Sequence, residues 1–502
     1  MELPSAFTDY MRTLLGSEEY DKLAAALEEE QPVSIRLNED KLPESSFSLF
    51  RTSLRPVAWS ATGCYLDNRL TFTFDPLFHA GCYYVQEASS MFVEQALKQY
   101  VAEEPVMMLD LCAAPGGKST LIRSLLPKGS LLVANEVIRS RSQILAENLT
   151  KWGHPDVVVT NNDPADFSPL EDFFDVILAD VPCSGEGMFR KDTVAVSEWS
   201  PENVEICRQR QRRILADIWP CLKPGGILIY STCTYNTKEN EENVRLMQDD
   251  FGAEVLPLEA SAGWHVTGSL LDGADFPVYR FLPHKTEGEG FFLAVLRKPG
   301  QYIGNAWAEQ AKARGRAFVI PGQRDDKLWE KGRNSVGKGT KNCGVSKEQL
   351  AALHEWLIAP DEYEFLTAGG SGSVSVFSKG LLAELSALRS SLRIVQAGIS
   401  VAELKGKDWL PAHALAMSSV LNQTAFVCEE IGYEQAIAYL RKEAVMLPET
   451  APRGIVLLTY KQIPLGFVKN IGNRANNLYP QEWRIRSGYM PEEISELMEL
   501  LS

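Results

Sequence analysis

The chain has 502 residues, of which 45% are hydrophobic and 23% are charged. This balance is ordinary for a globular protein of about three domains, and it excludes a disordered or fibrous chain. The 66 acidic side chains outnumber the 50 basic ones and give a formal net charge of −16, so the overall charge predicts neither a nucleic-acid nor a membrane partner. A polyanion would have to be bound by a local cluster of cations.

The nine cysteines are scattered from Cys64 to Cys428 and include no C-x-x-C pair. This pattern argues against a disulfide framework and against a zinc ribbon, so we predict no metal site and a reducing compartment. The first residues lack the basic segment and the cleavage site of a signal peptide, and the charge-free stretch from Trp409 to Cys428 is too polar to span a membrane. We therefore expect a soluble, cytoplasmic protein.

The first 300 residues divide into two regions of different pattern. Residues 1–95 combine helical periodicity with short strand-like runs and predict a small α+β module. In residues 96–300 apolar runs alternate with stretches that are compatible with helices. Six runs predict buried strands: MMLDL, LLVAN, DVVVTN, FDVILAD, GGILIYST and FFLAVLR. This alternation is typical of a doubly wound α/β sheet of the Rossmann-like kind.

Three further regions follow the predicted sheet. Residues 301–345 are predicted to form a basic linker, because the stretch from Arg297 to Lys341 holds eleven Lys or Arg against four Asp or Glu, together with many glycines. Residues 346–420 contain helical and turn-rich stretches and predict a connecting domain. Residues 421–502 resume a strand pattern at GIVLLTYKQIPLGFVKNIG and predict a small β-rich domain.

The strongest motif is LDLCAAPGGKST, in which a strand leads through a turn of small residues into a helix. A turn of this kind lets a ligand approach the backbone. Glu136 ends the second strand, where a carboxylate can accept hydrogen bonds from both ribose hydroxyls, and Asp163 follows the third strand. Each feature alone is also compatible with a structural turn or a solvated carboxylate. Together they predict an adenosine site, whose turn consists of Cys112, Ala113, Ala114, Pro115, Gly116, Gly117 and Lys118.

Other nucleotide motifs fit the sequence less well. GGKST ends like a phosphate-binding loop, but Cys112 stands where that loop requires glycine. GRNSVGKG, residues 332–339, has Gly339 where a Ser or Thr would hold magnesium, and no strand precedes it. The first turn also lacks G-x-G-x-x-G, which disfavours a dehydrogenase.

Two more motifs end strands at the same edge of the predicted sheet. DVPCSGEGMFRK places Asp180 and Cys183 after the fourth strand, and STCTY places Cys233 after the fifth. A thiol is a natural nucleophile for an electron-poor ring carbon, and an acid that hydrogen-bonds the neighbouring ring nitrogen helps to take up the developing charge. Asp180 is suited to that role. The cysteines away from these three motifs are interpreted as small buried hydrophobes.

Basic residues near these motifs are candidates for contacts with nucleic-acid phosphates. Arg190 and Lys191 follow Phe189, an aromatic side chain that could stack on a base. A run of four arginines follows on a predicted helix, where a solvated helix face is the alternative interpretation. The run consists of Arg208, Arg210, Arg212 and Arg213.

The motifs LDLCAAPGGKST, DVPCSGEGMFRKD and STCTYNTKENEENV resemble those of the Nop2/Sun family of RNA cytosine-5 methyltransferases. The resemblance extends upstream to SIRLN and GCYYVQEASSM and downstream to RFLPHKTEGEGFFLAVLRK, and covers roughly residues 30–300. The segments LPAHALAM, IPLGFVK and NNLYPQEWRI are similar to the tail of the family's 16S rRNA branch, which ends in a PUA-like RNA-binding domain. We therefore expect residues 421–502 to form such a domain, and residues 1–95 to contribute to RNA binding.

The resemblance implies an S-adenosylmethionine-dependent enzyme that makes 5-methylcytosine in RNA. By this resemblance Cys112–Lys118, Glu136, Asp163 and Asp180 bind the cofactor or line its pocket, Cys233 attacks C6 of the cytosine, and Cys183 assists release. DNA cytosine methyltransferases use a Pro-Cys in the fourth motif, which would make Cys183 the attacking residue instead. The base that removes the C5 proton stays open.

The implied substrate is small-subunit rRNA, either naked or in the assembled subunit, bound by a monomeric protein. A tRNA substrate is one alternative, and an inactive RNA-binding factor for ribosome assembly is another. An adenine N-methyltransferase is disfavoured because the fourth motif reads Asp-Val-Pro-Cys, and lacks the Asp- or Asn-Pro-Pro-aromatic sequence.

Overall fold

The computed structural model describes residues 2–101, 104–302, 347–367, 372–406, 408–488 and 496–501. The predicted basic linker lies outside the described residues except for Gln301 and Tyr302, and the 332–339 segment lies wholly outside them. None of the helices in these ranges is long and apolar enough to cross a membrane.

The N-terminal module carries a four-stranded antiparallel sheet in the order β2-β3-β1-β4. Its elements are α1 (Ser5–Leu15), α2 (Ser17–Ala26), β1 (Val33–Leu37), α3 (Glu44–Ser53), β2 (Arg55–Pro56), β3 (Gly63–Leu66), α4 (Pro76–His79) and β4 (Tyr83–Val85). Arg36 on β1 is fully buried and donates hydrogen bonds to Gln86 (2.9 Å) and to Thr120 (2.5 Å). The module is thereby connected directly to the region that follows it.

The central region forms a mixed sheet whose five middle strands are parallel, in the order β9-β8-β5-β6-β7. Its elements are α5 (Val93–Tyr100), β5 (Met107–Asp110), α6 (Gly117–Leu125), β6 (Leu131–Asn135), α7 (Arg139–Trp152), β7 (Val157–Thr160), β8 (Phe174–Asp180), α8 (Thr193–Glu198), α9 (Pro201–Ile218), β9 (Leu222–Thr232), α10 (Glu241–Phe251), β10 (Glu254–Leu256), β11 (Tyr279–Phe281) and β12 (Phe291–Arg297). All six predicted strands are present, and the Rossmann-like α/β prediction is confirmed.

The strands of this sheet are apolar throughout because helices cover both of its faces. Successive residues of β5 point to opposite sides, so Met108 packs into one hydrophobic core and Leu109 into the other. β12 runs antiparallel to β9 and extends the sheet at one side. Because the five parallel strands share a direction, their carboxyl ends meet at one edge, where the three sequence motifs begin.

The next region is richer in strands than the sequence indicates. Two predicted helices are present, Lys347–His354 and Leu382–Ser391, followed by the short helix His413–Ala416. The strands are β13 (Tyr363–Thr367), β14 (Ser373–Ser378), β15 (Ile394–Ala397), β16 (Ile399–Lys405) and β17 (Asp408–Pro411). Four of them form a sheet in the order β13-β14-β16-β17, whereas β15 pairs with β7 and adds a strand to the central sheet. Leu385 and Leu388 pack into one of the central cores.

The C-terminal region is β-rich, as predicted. It contains β18 (Val427–Glu430), the helix Tyr433–Leu440, β19 (Gly454–Tyr460), β20 (Ile463–Asn470) and β21 (Ala475–Asn477), and its four strands form one sheet in chain order. This sheet shares a hydrophobic core with the N-terminal module. The backbone N–H of Leu497 donates a hydrogen bond to Asp75 in that module (2.9 Å). The N-terminal module and the C-terminal region therefore pack together.

Candidate active site

A cavity of about 300 Å³ opens at the carboxyl edge of the central sheet. Its walls include Asp180, Cys233 and Phe291 together with residues of the turn after β5. The N-terminal module contributes Tyr84 and Gln86 to the same cavity. The structure therefore brings the three sequence motifs together at one place, as parallel strands require.

The turn after β5 is held by side chains of α7. Arg141 donates a hydrogen bond to the carbonyl of Ala114 (2.8 Å), and Asn148 donates one to the carbonyl of Pro115 (2.8 Å). Gly116, which precedes α6, has a φ of 118°, a backbone conformation that side chains with a Cβ disfavour. A Cβ on Gly117 would lie 3.3 Å from the Tyr84 ring. Small residues in this turn thus keep its backbone accessible from the cavity.

Asp110 lies at the end of β5 and lines the cavity, although the sequence analysis did not select it. Ser119 donates a hydrogen bond to one carboxyl oxygen (2.6 Å), and the other oxygen is buried with no hydrogen-bond partner among the described residues. Burial raises the pKa of Asp110 to about 7, and the nearby Asp180 carboxylate contributes to that rise. The sequence does contain a signal for Asp110, because it is an acidic residue at the end of a predicted buried strand, on the edge of the sheet where ligands bind.

Asp180 is held at both of its carboxylate oxygens. Lys118 donates a hydrogen bond to Oδ2 (2.8 Å) and Ser231 donates one to Oδ1 (2.7 Å). Burial opposes the charge of Lys118, but the Asp180 carboxylate raises the pKa of this lysine overall. Lys118 comes from the first motif, Asp180 from the second and Ser231 from the third, so the pairing fixes all three motifs relative to one another.

The two predicted thiols are adjacent. The Sγ atoms of Cys183 and Cys233 are 3.0 Å apart, and the backbone N–H of Cys233 donates to Cys183 Sγ (3.4 Å). Both cysteines are free. The hydrogen bond with Cys233 and burial raise the pKa of Cys183 well above its ordinary value. Cys233 lines the cavity and Cys183 does not, so a ligand in the cavity meets Cys233 first.

The other two predicted acids lie farther along the same edge, outside the lining of this cavity. Glu136 follows β6; it accepts a hydrogen bond from the backbone N–H of Ile138 (2.9 Å) and lies 3.5 Å from Arg141. Asp163 follows β7 and is half-exposed; it accepts a hydrogen bond from the backbone N–H of Ala165 (3.2 Å) and pairs with Arg213 (3.3 Å).

The predicted phosphate contacts differ in how available they are. Arg190 is buried and paired with Glu289 (3.1 Å), which removes it from the exposed surface. Lys191 is exposed and lines the cavity. Three of the four arginines on α9 pair with acidic side chains; they are Arg208, Arg212 and Arg213. Arg210 is exposed and has no ion pair among the described residues.

Comparison with known proteins gives consistent relatives along the chain. Family models match residues 3–88 as the N-terminal domain of 16S rRNA methyltransferase RsmF, 96–297 as 16S rRNA methyltransferase RsmB/F, and 427–485 as the methyltransferase RsmF PUA domain. The ribosomal RNA small subunit methyltransferase F of Serratia proteamaculans is 30% identical over 507 residues, which cover 97% of this chain and 98% of that protein. The chain belongs to the 16S rRNA methyltransferase RsmB/F family.

Other similar proteins agree with this membership. The small subunit methyltransferase F of an Escherichia coli strain is 31% identical over 501 residues, which cover 95% of this chain and 96% of that protein. A solved structure described as a methyltransferase homologue from Pyrococcus horikoshii is 29% identical, with a TM-score of 0.51, over 59% of this chain and 95% of that chain. These relatives and the family models confirm the methyltransferase prediction, and the model that matches residues 427–485 confirms the PUA domain at the C-terminus.

An enzyme of this family uses S-adenosylmethionine, and the cavity suits that cofactor. The unpartnered oxygen of Asp110 is a buried acceptor beside the cavity, and the Asp180 carboxylate adds negative charge that favours a cationic sulfonium. The small-residue turn leaves space in front of the backbone. The residues present therefore fit the cofactor that the family uses.

Proposed function

We propose that this rRNA methyltransferase acts on C5 of a cytosine in small-subunit rRNA, through a covalent bond between Cys233 and C6 of the base. The observation that carries the proposal is the pair of adjacent thiols beside Asp180 at a cavity that Cys233 lines. Two thiols in contact suit a reaction in which a covalent bond to sulfur is first made and then broken. The names of the relatives support small-subunit rRNA as the substrate, and the descriptions of the family models support 16S rRNA.

The cofactor would be held by the turn Cys112–Lys118 together with Glu136, Asp163 and Asp180. Bound there, S-adenosylmethionine supplies an electrophilic methyl group. C5 of cytosine is a weak nucleophile, so the task of the protein is to raise its electron density and to exclude water from the site. The buried walls of the cavity help to exclude water.

The first step is addition of the Cys233 sulfur to C6. The Cys233 thiol loses its proton as the S–C6 bond forms, the C5=C6 pair shifts to C4=C5, and the C4=N3 pair moves onto N3. Asp180, in its acid form, donates its proton to N3, and the hydrogen bonds from Lys118 and Ser231 then hold the resulting carboxylate in place. Preorganised polar groups of this kind stabilise charge that develops during the reaction.

The last step restores the ring. C5, once methylated, loses its proton, the C5=C6 double bond re-forms, and the S–C6 bond breaks, which returns Cys233. N3 gives its proton back to Asp180. The 3.0 Å contact between the thiols supports Cys183 as the residue that assists this elimination. The group that accepts the C5 proton is left unassigned.

The cytosine must leave its stack to reach such a cavity, at a cost of a few kcal/mol. Contacts with flanking phosphates would supply the compensating binding energy. Lys191 is suited to this because it is exposed and lines the cavity. The N-terminal module, whose Tyr84 and Gln86 reach the cavity, and the PUA domain would bind other parts of the RNA.

Single-cysteine variants test the proposal. Cys233→Ala should abolish turnover and form no covalent complex with RNA, because the attacking sulfur is lost. Cys183→Ala should still attack the base but release it slowly, so a covalent protein–RNA complex should accumulate on denaturing gels. Cys221→Ala is the matched control, since this thiol is buried in the core outside the cavity lining and should leave the activity of the folded protein unchanged. If Cys233→Ala accumulated the covalent complex and Cys183→Ala formed none, the assignment of Cys233 as the attacking residue would be wrong, and Cys183 would be the nucleophile.

A further inference from the structure

A buried carboxylate connects the two loops that carry the thiols. Glu186 lies three residues after Cys183 and is fully buried. Its Oε2 atom accepts hydrogen bonds from the backbone N–H groups of Tyr235 (2.7 Å) and Asn236 (2.9 Å), in the loop after Cys233. Its Oε1 atom accepts from the Asn236 side chain (2.9 Å) and from the Trp199 indole (2.9 Å).

This arrangement is unusual for a buried acid, because among the described residues Glu186 has four N–H donors and no ion pair with Lys, Arg or His. A buried charge without a counterion is costly, and four N–H donors are what stabilises it. Two of those donors are backbone groups of the Cys233 loop. The carboxylate can therefore stay buried only while the Cys233 loop keeps its position next to the Cys183 loop.

Other contacts join the same two loops. The backbone N–H of Gly187 donates to the carbonyl of Cys233 (2.9 Å), and the hydroxyls of Ser184 and Thr234 are 3.0 Å apart. A Cβ on Gly187 would lie 2.9 Å from the Cys233 carbonyl oxygen and 2.6 Å from that of Gly290. The two loops therefore approach each other as closely as their backbones allow, through residues that flank the thiols in the sequence.

A second buried acid, Glu239, lies beside Glu186 in the loop after Cys233 and makes the reciprocal contact with the Cys183 loop. It accepts hydrogen bonds from the backbone N–H of Ser184 (3.0 Å) and from the side chains of Gln211 (2.7 Å) and Asn236 (2.8 Å). Burial and the charge of Glu186 raise the pKa of Glu239 to about 6. Of these two acids, only Glu186 is itself part of the Cys183 loop and binds the backbone of the Cys233 loop.

We infer that Glu186 is a positioning residue, which sets the distance between Cys183 and Cys233 that release of the methylated base requires. The inference rests on the proposed function. Attack needs Cys233 and Asp180. Cys233 directly follows β9 of the central sheet and Lys118 holds Asp180, whereas Cys183 lies three residues beyond the end of β8 and depends more on the contacts of its loop. Release also needs Cys183, whose loop Glu186 fixes, so loosening this contact should slow release more than attack.

The test is Glu186→Gln, which keeps the size of the side chain but presents an NH₂ group to N–H donors. We expect kcat to fall at least about tenfold, since displacement of a reacting group by about 1 Å has effects of this size or larger. The KM for RNA should stay within about twofold of the parent value, and a covalent protein–RNA complex should accumulate as in Cys183→Ala. Glu186→Asp, which retains the charge, should restore part of the rate.

Glu94→Gln is the matched control. Glu94 is equally buried; it accepts hydrogen bonds from Ser60 (2.7 Å) and from the backbone N–H of Ala61 (2.9 Å), and it also pairs with Lys98 (2.5 Å). This change therefore also disrupts a buried carboxylate, but it touches neither thiol loop. It should lower stability without accumulation of a covalent complex. Trp199→Phe provides a second test if Glu186→Gln fails to fold. It removes one donor to Glu186 but retains an aromatic ring, and it should give a milder form of the same phenotype.

Two outcomes separate this inference from the proposed function. In the first outcome, the parent makes 5-methylcytosine, and Glu186→Gln and Trp199→Phe lose activity only in proportion to their folded fraction, as Glu94→Gln does. The positioning role is then wrong, and the proposed function stands. If the parent makes no 5-methylcytosine and Cys183→Ala gives no covalent complex, the proposed function fails, and the inference fails with it.

Discussion

Asp110 should make the stability of this protein depend on pH. Its pKa rises from 3.8 to about 7 because the folded chain buries it beside Asp180. The folded state therefore binds this proton more tightly than the unfolded state, so the favourable contribution is complete below about pH 4 and is lost as the pH rises through about 7. This rise in the pKa of Asp110 corresponds to about 4 kcal/mol in the free energy of unfolding, of which about 3 kcal/mol is lost between about pH 5 and about pH 8.

Asp110→Asn should remove this dependence, because an amide has no proton to lose and can still accept the hydrogen bond from Ser119. The assay is urea unfolding at about pH 5 and about pH 8, with the variant compared to the parent at each pH. The parent should lose about 3 kcal/mol more than the variant over this interval. Asp250→Asn, at an exposed position, should behave like the parent. Equal losses in the parent and Asp110→Asn would refute the reasoning, since Asp110 would then carry no raised pKa in the fold.

Two further predictions concern the packing that supports the site. Arg280→Met should lower the free energy of unfolding in urea by about 3–5 kcal/mol, because it leaves the fully buried Glu241 without its ion-pair partner at 2.7 Å. Arg297→Met, at an exposed ion pair, should lower it by under about 1 kcal/mol. Equal costs would contradict this ranking. Leu385→Ala should cost about 2–5 kcal/mol and should speed amide hydrogen exchange in β7 and β15, because this leucine packs into a central core. Unchanged exchange in both strands would show that this helix does not support the central sheet.

The sequence predicts the central sheet well because its signals are local. Each inner strand is an apolar run that both layers of helices cover, and each is followed by a recognisable turn or helix. Parallel strands then place the ends of β5, β8 and β9 at one edge, so Lys118, Asp180 and Cys233 could be assigned to one site before any coordinates were known.

Contacts between distant parts of the chain were not predictable in this way. β15 pairs with β7 through Ile394 and Thr160, which are far apart in the sequence, and no local pattern specifies such a pair. The strand Ser373–Ser378 does alternate small polar and apolar residues, which was a usable signal.

The site also holds residues whose roles depend on tertiary packing. Arg190 was predicted to contact phosphates, but its loop folds against Gly288 and Glu289, so the guanidinium is buried and paired. Glu186 lies in the motif DVPCSGEGMFRK, in which Asp180 and Cys183 are the residues that the sequence predicts to be functional. Its importance appears only when the loop after Cys233 is seen to donate to it.

Nucleoside mass spectrometry tests the central claim most directly. The purified protein is incubated with methyl-labelled S-adenosylmethionine and, separately, with unmodified small ribosomal subunits, their naked RNA and a tRNA pool. We expect labelled 5-methylcytidine from the subunits or their rRNA and none from tRNA. Label in tRNA alone would contradict the substrate, label in another nucleoside would contradict the chemistry, and RNA binding without any label would favour an inactive ribosome-assembly factor.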